Sequence, residues 1–199
     1  MSFKAEETAV VLIEFQNDFC KPGFPLYPGV EKVLTENRVI ENTVELVKKA
    51  KEKRVLIIGC PIMFEPDYRD LGQEFGIKAN AKKVGAFRKG TKGAEFIDEL
   101  KPYIDIYVEG KRGLDGFHGT NLDTILRYCG IKNVAIAGFL TNVCVESTAR
   151  TAFDLNYKVV ILRDCTAALS WEEQQYAETK LFPLIAEVMT HKEFLEKLK

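Results

Sequence analysis

Residues 134–162 read VAIAGFLTNVCVESTARTAFDLNYKVVIL, and the fold can be read outward from them. Val134 to Ala137 is a continuous apolar run of strand length, and Val159 to Leu162 is a second. Runs apolar at every position, rather than at alternate ones, suit parallel strands covered on both faces. Between them, residues 142–155 carry helical spacing, and Asn156 stands where a left-handed helix stop is needed, a conformation Asn tolerates. The stretch therefore reads strand, helix, strand.

The pattern repeats on either side. Ala9 to Ile13 and Val55 to Ile58 are continuously apolar, with shorter candidates at Ile104 to Val108 and Ile185 to Met189. Val30 to Lys53 has apolar residues at three- and four-residue intervals and reads as one helix. Thr120 to Tyr128 is a second, with Asn121 or Thr120 as N-cap, and His191 to Leu198 closes the chain as a third. The alternation predicts an α/β fold over residues 1–199 as a single domain. Its architecture would be three-layer α/β/α, with a doubly wound six-stranded parallel sheet. Pro61 to Gly93 is the least regular part and reads as a lid or an interface loop.

Composition narrows the function. The chain has 199 residues, 46% hydrophobic, so it can bury a substantial core and is not disordered. Lys and Arg number 28 against 29 Asp and Glu, a balance that offers no broad attraction to nucleic acid or anionic lipid. No long apolar span or secretory leader is visible, so a cytoplasmic protein without a membrane partner is expected. The five cysteines (Cys20, Cys60, Cys129, Cys144, Cys165) include no C-x-x-C, which argues against a disulfide framework or a structural zinc site. The two histidines, His118 and His191, stand far apart in sequence, so a Cys–His dyad has little support.

Ligands of an open α/β sheet bind beyond the carboxyl ends of its strands, and three such ends carry chemistry. Glu14 follows the first apolar run directly. It reads either as a structural ion-pair partner or cap, or as an acid or base in a partly dry pocket. Asp18, farther into the loop, reads as solvated. Lys111 follows the short 104–108 run in a glycine-rich turn, either as surface charge or as a partner for a neighbouring carboxylate. Arg112 should point the other way. Cys144 falls in the first turn of the helix after Gly138. Unpaired N–H groups there should lower its pKa and could hold an oxyanion. Cys60, Cys129 and Cys165 read as buried and inert. Together these ends supply a thiol with Glu14 to take its proton, while Lys111 would keep Glu14 charged and bind substrate.

IEFQNDF (13–19), KRGLDGFHGTNLDTILRYCGI (111–131) and GFLTNVCVESTARTAFDLNYKVVILRDCTAA (138–168) resemble the three signature segments of the isochorismatase-like cysteine hydrolases. That family includes nicotinamidases, N-carbamoylsarcosine amidases and ureide-processing amidohydrolases. The resemblance implies a parallel α/β fold, often as a homodimer or homotetramer, with Cys144 as nucleophile and Lys111 and Glu14 completing a triad. It also implies a cis peptide between Phe139 and Leu140, and an oxyanion hole formed by the Leu140 and Cys144 amides. Three departures stand out: Glu14 replaces the usual aspartate, Gly113 occupies a commonly basic position, and the D-x-H metal motif is absent from Cys60-Pro61-Ile62-Met63-Phe64. No metal or other cofactor is expected.

The leading expectation is a hydrolase of C–N bonds in a small-molecule substrate, with Phe19 and Phe117 lining a small pocket. A vinyl-ether hydrolase, which needs an acid but no thiol, is a second reading. A catalytically silent binding member and a redox role for Cys144 complete the alternatives.

Overall fold

The computed structural model describes residues 2–199. Its sheet has six strands, all parallel: β1 (Thr8–Ile13), β2 (Leu56–Cys60), β3 (Ile106–Tyr107), β4 (Asn133–Phe139), β5 (Lys158–Ala167) and β6 (Glu187–Met189), in the order β3-β2-β1-β4-β5-β6. The four continuous apolar runs are the four central strands. Their side chains alternate between two cores, as a pleat with a period of two requires. Val10, Leu12, Ala135, Ala137, Val160 and Leu162 enter one core, and Ala9, Val11, Ile13, Val134, Ile136 and Ile161 enter the other.

Helices α2 (Tyr27–Glu36), α3 (Val39–Glu52) and α8 (His191–Lys197) cover the first core, and α5 (Leu122–Tyr128) and α6 (Glu146–Asp154) cover the second. The remaining helices are α1 (Asn17–Cys20), α4 (Gly76–Val84) and α7 (Trp171–Tyr176). None of the helices among the described residues is long and apolar enough to cross a membrane.

Local departures from expectation have identifiable causes. The helix expected over 30–53 is broken into α2 and α3, because Arg38 adopts a left-handed conformation (φ 53°). The Asn37 amide beside it donates to the Arg163 and Thr166 carbonyls of β5, so tertiary hydrogen bonds hold the break. The irregular 61–93 segment contains α4, whose C-terminal stop is Gly85 in the left-handed region (φ 73°). Asn156 is left-handed as well (φ 69°), at the expected helix end. Cys129 is exposed rather than buried, standing just past α5 where the short helix turns outward.

The strand order reverses between β1 and β4, which diverge to helices on opposite faces, and this is the switch point where such sheets open a crevice. The chain packs closely there: a Cβ on Gly138 (φ 133°) would lie 2.0 Å from the Ile13 carbonyl oxygen. Only glycine lets β4 pass so close to the end of β1 at that point.

Candidate active site

β1 delivers Glu14 to this crevice. Its backbone turns into the left-handed region (φ 56°), a conformation costing about 1–3 kcal/mol for a non-glycine residue. The N–H of Glu14 donates to Cys60 O at 3.1 Å, and its carbonyl accepts from Gln16 N–H at 2.7 Å. The carboxylate is 2% exposed. Lys111, 1% exposed, donates to Glu14 Oε1 at 2.5 Å and to the Gly113 carbonyl. β3 lies two strands from β1, and the loop after β3 brings Lys111 to Glu14. Burial works against charge on Lys111, but the carboxylate of Glu14 prevails and holds its pKa above the ordinary lysine value. An ion pair so enclosed is costly to break from one side.

β4 ends in the cis peptide Phe139–Leu140. The chain then enters a π-helical turn, Thr141–Val145, in which Val145 N–H donates to Leu140 O at 3.1 Å, and continues as α6. Cys144 sits near the end of this turn, 3% exposed, where Glu14, Lys111 and the Leu140 N–H are the groups that act on its sulfur.

The acidified thiol expected from the helix start is not what the site creates. Burial, and then the neighbouring Glu14 charge, push the Cys144 thiol well above its ordinary pKa, and Lys111 and the Leu140 N–H offset only part of this. The dipole of one short turn is weaker than desolvation combined with an adjacent anion. The sulfur therefore rests protonated, beside the Glu14 carboxylate.

Glu14, Leu140 and Cys144 line a cavity of about 220 Å³. Its walls are apolar, including Phe19, Ile62, Phe64 and Phe87, and α4 contributes Ile77, Lys78, Asn80 and Ala81. Phe19 stacks on Phe139 with ring centroids 5.4 Å apart. Phe117, expected beside it, belongs to the second core, where it stacks on Tyr157 at 6.0 Å. Its loop turns inward because Asp115 accepts the Phe117 and His118 N–H groups. Lys111 does not border the cavity, since its amine is spent on Glu14 and Gly113, whereas Arg112 does, paired with Asp70.

The expected reading of Asp18 is also corrected. It is 3% exposed, and its Oδ2 accepts the Phe87 N–H at 2.7 Å, while burial raises its pKa. Gln16 bonds Ile62 N–H and O and the Ala94 carbonyl, and Asn17 bonds the Lys92 and Glu95 carbonyls. These three consecutive polar residues tie the 61–96 segment over the end of β1. A run of three polar residues shortly after a buried strand is the sequence signal that could have marked them. Two other supports carry no such signal. Thr148 on α6 donates to Cys144 O and accepts Gly116 N–H, and Gln174 accepts from Thr141 at 2.7 Å. His118 is exposed, and His191 pairs with Asp164 at 2.7 Å, so neither serves Cys144. In the stretch lacking D-x-H, Ile62 and Phe64 face the cavity and offer no metal ligand.

The isochorismatase domain model matches residues 8–193. A ureidoacrylate amidohydrolase, RutB, from Rhizobium rhizogenes is 32% identical over 178 residues, covering 83% of this chain and 72% of that protein. The crystal structure of a cysteine hydrolase from Pseudomonas syringae pv. phaseolicola superposes with a TM-score of 0.84 at 26% identity, covering 99% of this chain and 94% of that one. N-carbamoylsarcosine amidase from Thermoplasma acidophilum superposes with a TM-score of 0.71 at 25% identity, covering 93% and 96%.

Proposed function

Because the chain belongs to the isochorismatase family, we propose that it is a cysteine-dependent amidohydrolase that opens a C–N bond of a small amide, ureide or lactam through a thioester on Cys144. The observation that carries this reading is that Cys144 and Glu14 line one largely apolar cavity, with Lys111 bonded to Glu14 behind it. Relatives named as an amidohydrolase and an amidase support the bond type.

Glu14 takes the thiol proton as the sulfur attacks the carbonyl carbon, so thiolate is formed only when it is consumed. The Leu140 and Cys144 N–H groups hold the resulting oxyanion. Glu14 returns the proton to the departing nitrogen, the C–N bond breaks, and ammonia or an amine leaves a thioester. Water then enters, Glu14 accepts its proton, and the acid is released with the thiol restored. Lys111 fixes the Glu14 carboxylate and compensates its charge throughout.

The reaction needs no metal in this reading: the cavity walls offer no imidazole, and Glu14 is committed to Lys111. A homodimer or homotetramer fits the exposed apolar side chains of Phe75, Ile77 and Leu169, the last two at the cavity. The five cysteines are unpaired, the state a reducing cytoplasm maintains. Intact-mass screening against small amides, ureides and lactams, with ammonia release in parallel, tests the mechanism. An acyl adduct confined to Cys144 is the expected result, and turnover that survives Cys144→Ala overturns it.

A further inference from the structure

The opposite half of the sheet holds a second group of reactive side chains. The register between β4 and β5 shifts between Ile136 and Gly138, so β5 carries extra residues there before Thr166 resumes pairing. Asp164 and Cys165 lie in that irregular stretch. Thr190 caps α8 with a capping box and sets His191 at the first position of that helix.

Asp164 grips His191 twice. One carboxylate oxygen accepts the His191 backbone N–H at 2.8 Å, and the other lies 2.7 Å from Nδ1. A carboxylate on Nδ1 fixes the ring and leaves Nε2 as the free nitrogen, the arrangement found behind most metal-bound histidines. The residue is 2% exposed, and Nε2 has no hydrogen-bond partner among the described residues. Glu45 Oε2, from α3, faces it at 3.5 Å. The Cys165 sulfur, a ring nitrogen of His191 and an Asp164 oxygen all lie within 4.8 Å of one another. Cys165 is fully buried beside them.

An orphaned, buried imidazole nitrogen is costly unless something occupies its lone pair. The 3.5 Å gap to Glu45 is long for a hydrogen bond, yet close to the separation of about 3.3 Å that two ligands keep around a tetrahedral zinc ion. We propose that His191 and Cys165, joined by Glu45 drawn in from α3, bind one zinc-type divalent cation, with water as the fourth ligand and Asp164 as the orienting carboxylate. Sulfur, imidazole and carboxylate together favour a borderline-soft ion over magnesium or calcium. Binding requires the Cys165 and Glu45 side chains to close in on His191 Nε2 until zinc–sulfur and zinc–nitrogen distances of about 2.3 and 2.0 Å are reached, and the Cys165 thiol, which otherwise donates to Asp164 Oδ1 at 3.8 Å, gives its proton to solvent. The ligands come from α3, β5 and α8, so the ion pins the C-terminal helix to the sheet. The site shares no residue with the cavity at Cys144.

The test uses the full chain, stripped with a chelator and titrated with Co²⁺ and then Zn²⁺. One Co²⁺ per chain, with a sulfur-to-cobalt charge-transfer absorption in the near ultraviolet and a Zn²⁺-dependent rise in Tm, is the expected result. Cys165→Ala removes the absorption, and Asp164→Asn weakens Zn²⁺ binding by about 10–100-fold. Glu45→Gln, at a partly exposed position that does not threaten folding, weakens it in the same direction. Cys144→Ala leaves the titration unchanged. No stoichiometric binding by the unmodified chain, or an absorption lost in Cys144→Ala and kept in Cys165→Ala, overturns the site.

Discussion

Cys60 closes β2 and Cys144 follows β4, and both sulfurs feel the charges of Glu14 and Lys111. Burial is the largest influence on each and pushes both thiols up, Cys60 to about 12. By acidity the two are not distinguished. They differ in what surrounds the sulfur. Cys144 has the Glu14 carboxylate and the Leu140 N–H acting on it and a cavity in front. Cys60 is enclosed in the second core, so close to the Lys111 loop that a Cβ on Gly116 would lie 3.4 Å from its sulfur. A base and room for a substrate, rather than a preformed thiolate, mark the candidate nucleophile.

The largest effect expected from this contrast is on turnover. Cys144→Ala should remove amide hydrolysis by a factor on the order of 10⁴ or more, whereas Cys60→Ala should stay within a few-fold of the unmodified protein in the same ammonia assay. Equal losses in both variants would erase the distinction.

Next comes the ion pair between them. Lys111→Met leaves a buried carboxylate without its cation, so chemical denaturation should show a loss of about 3–5 kcal/mol, together with loss of turnover. The double variant Glu14→Leu/Lys111→Met should regain much of the stability and none of the activity.

Thiol labelling sharpens the comparison through pH. A pKa raised in the folded state means less thiolate at neutral pH, so iodoacetamide should modify Cys144 more slowly than an ordinary exposed thiol at pH 7. The rate should climb by up to about tenfold per pH unit as the thiolate fraction grows. Cys60, with no opening to solvent, should stay unmodified until the chain unfolds, as peptide mapping by mass would show. Fast labelling of Cys144 at pH 7 would restore the thiolate picture.

The smallest effects separate the two phenylalanines. Phe19→Leu should change KM several-fold, because the ring lines the cavity. Phe117→Leu should leave KM unchanged and lower stability by about 1–2 kcal/mol, since its ring packs in the core.

These contrasts also show how much could be read in advance. Glu14, Lys111 and Cys144 could be singled out from their places after apolar runs, and Phe19 borders the cavity. Phe117 could not be placed, because an aromatic in a glycine-rich turn gives no sign of which side of the loop it occupies. Asp18 looked solvated, because the Phe87 N–H that receives its carboxylate is 69 residues away in the chain. The break at Arg38 escaped the helical periodicity, since the bonds that stabilise it reach from Asn37 to the end of β5.

By itself the sequence determined the strand and helix alternation, the burial of the central strands on both faces and the left-handed stop at Asn156. These follow from side-chain period and backbone sterics, which act over a few residues. Only the tertiary structure decided that the Cys144 sulfur rests protonated against Glu14, that Lys111 stands behind the carboxylate rather than in the cavity, and that His191 turns a bare nitrogen toward Glu45. Each depends on desolvation and charge summed over neighbours from distant parts of the chain, and no local pattern encodes that sum.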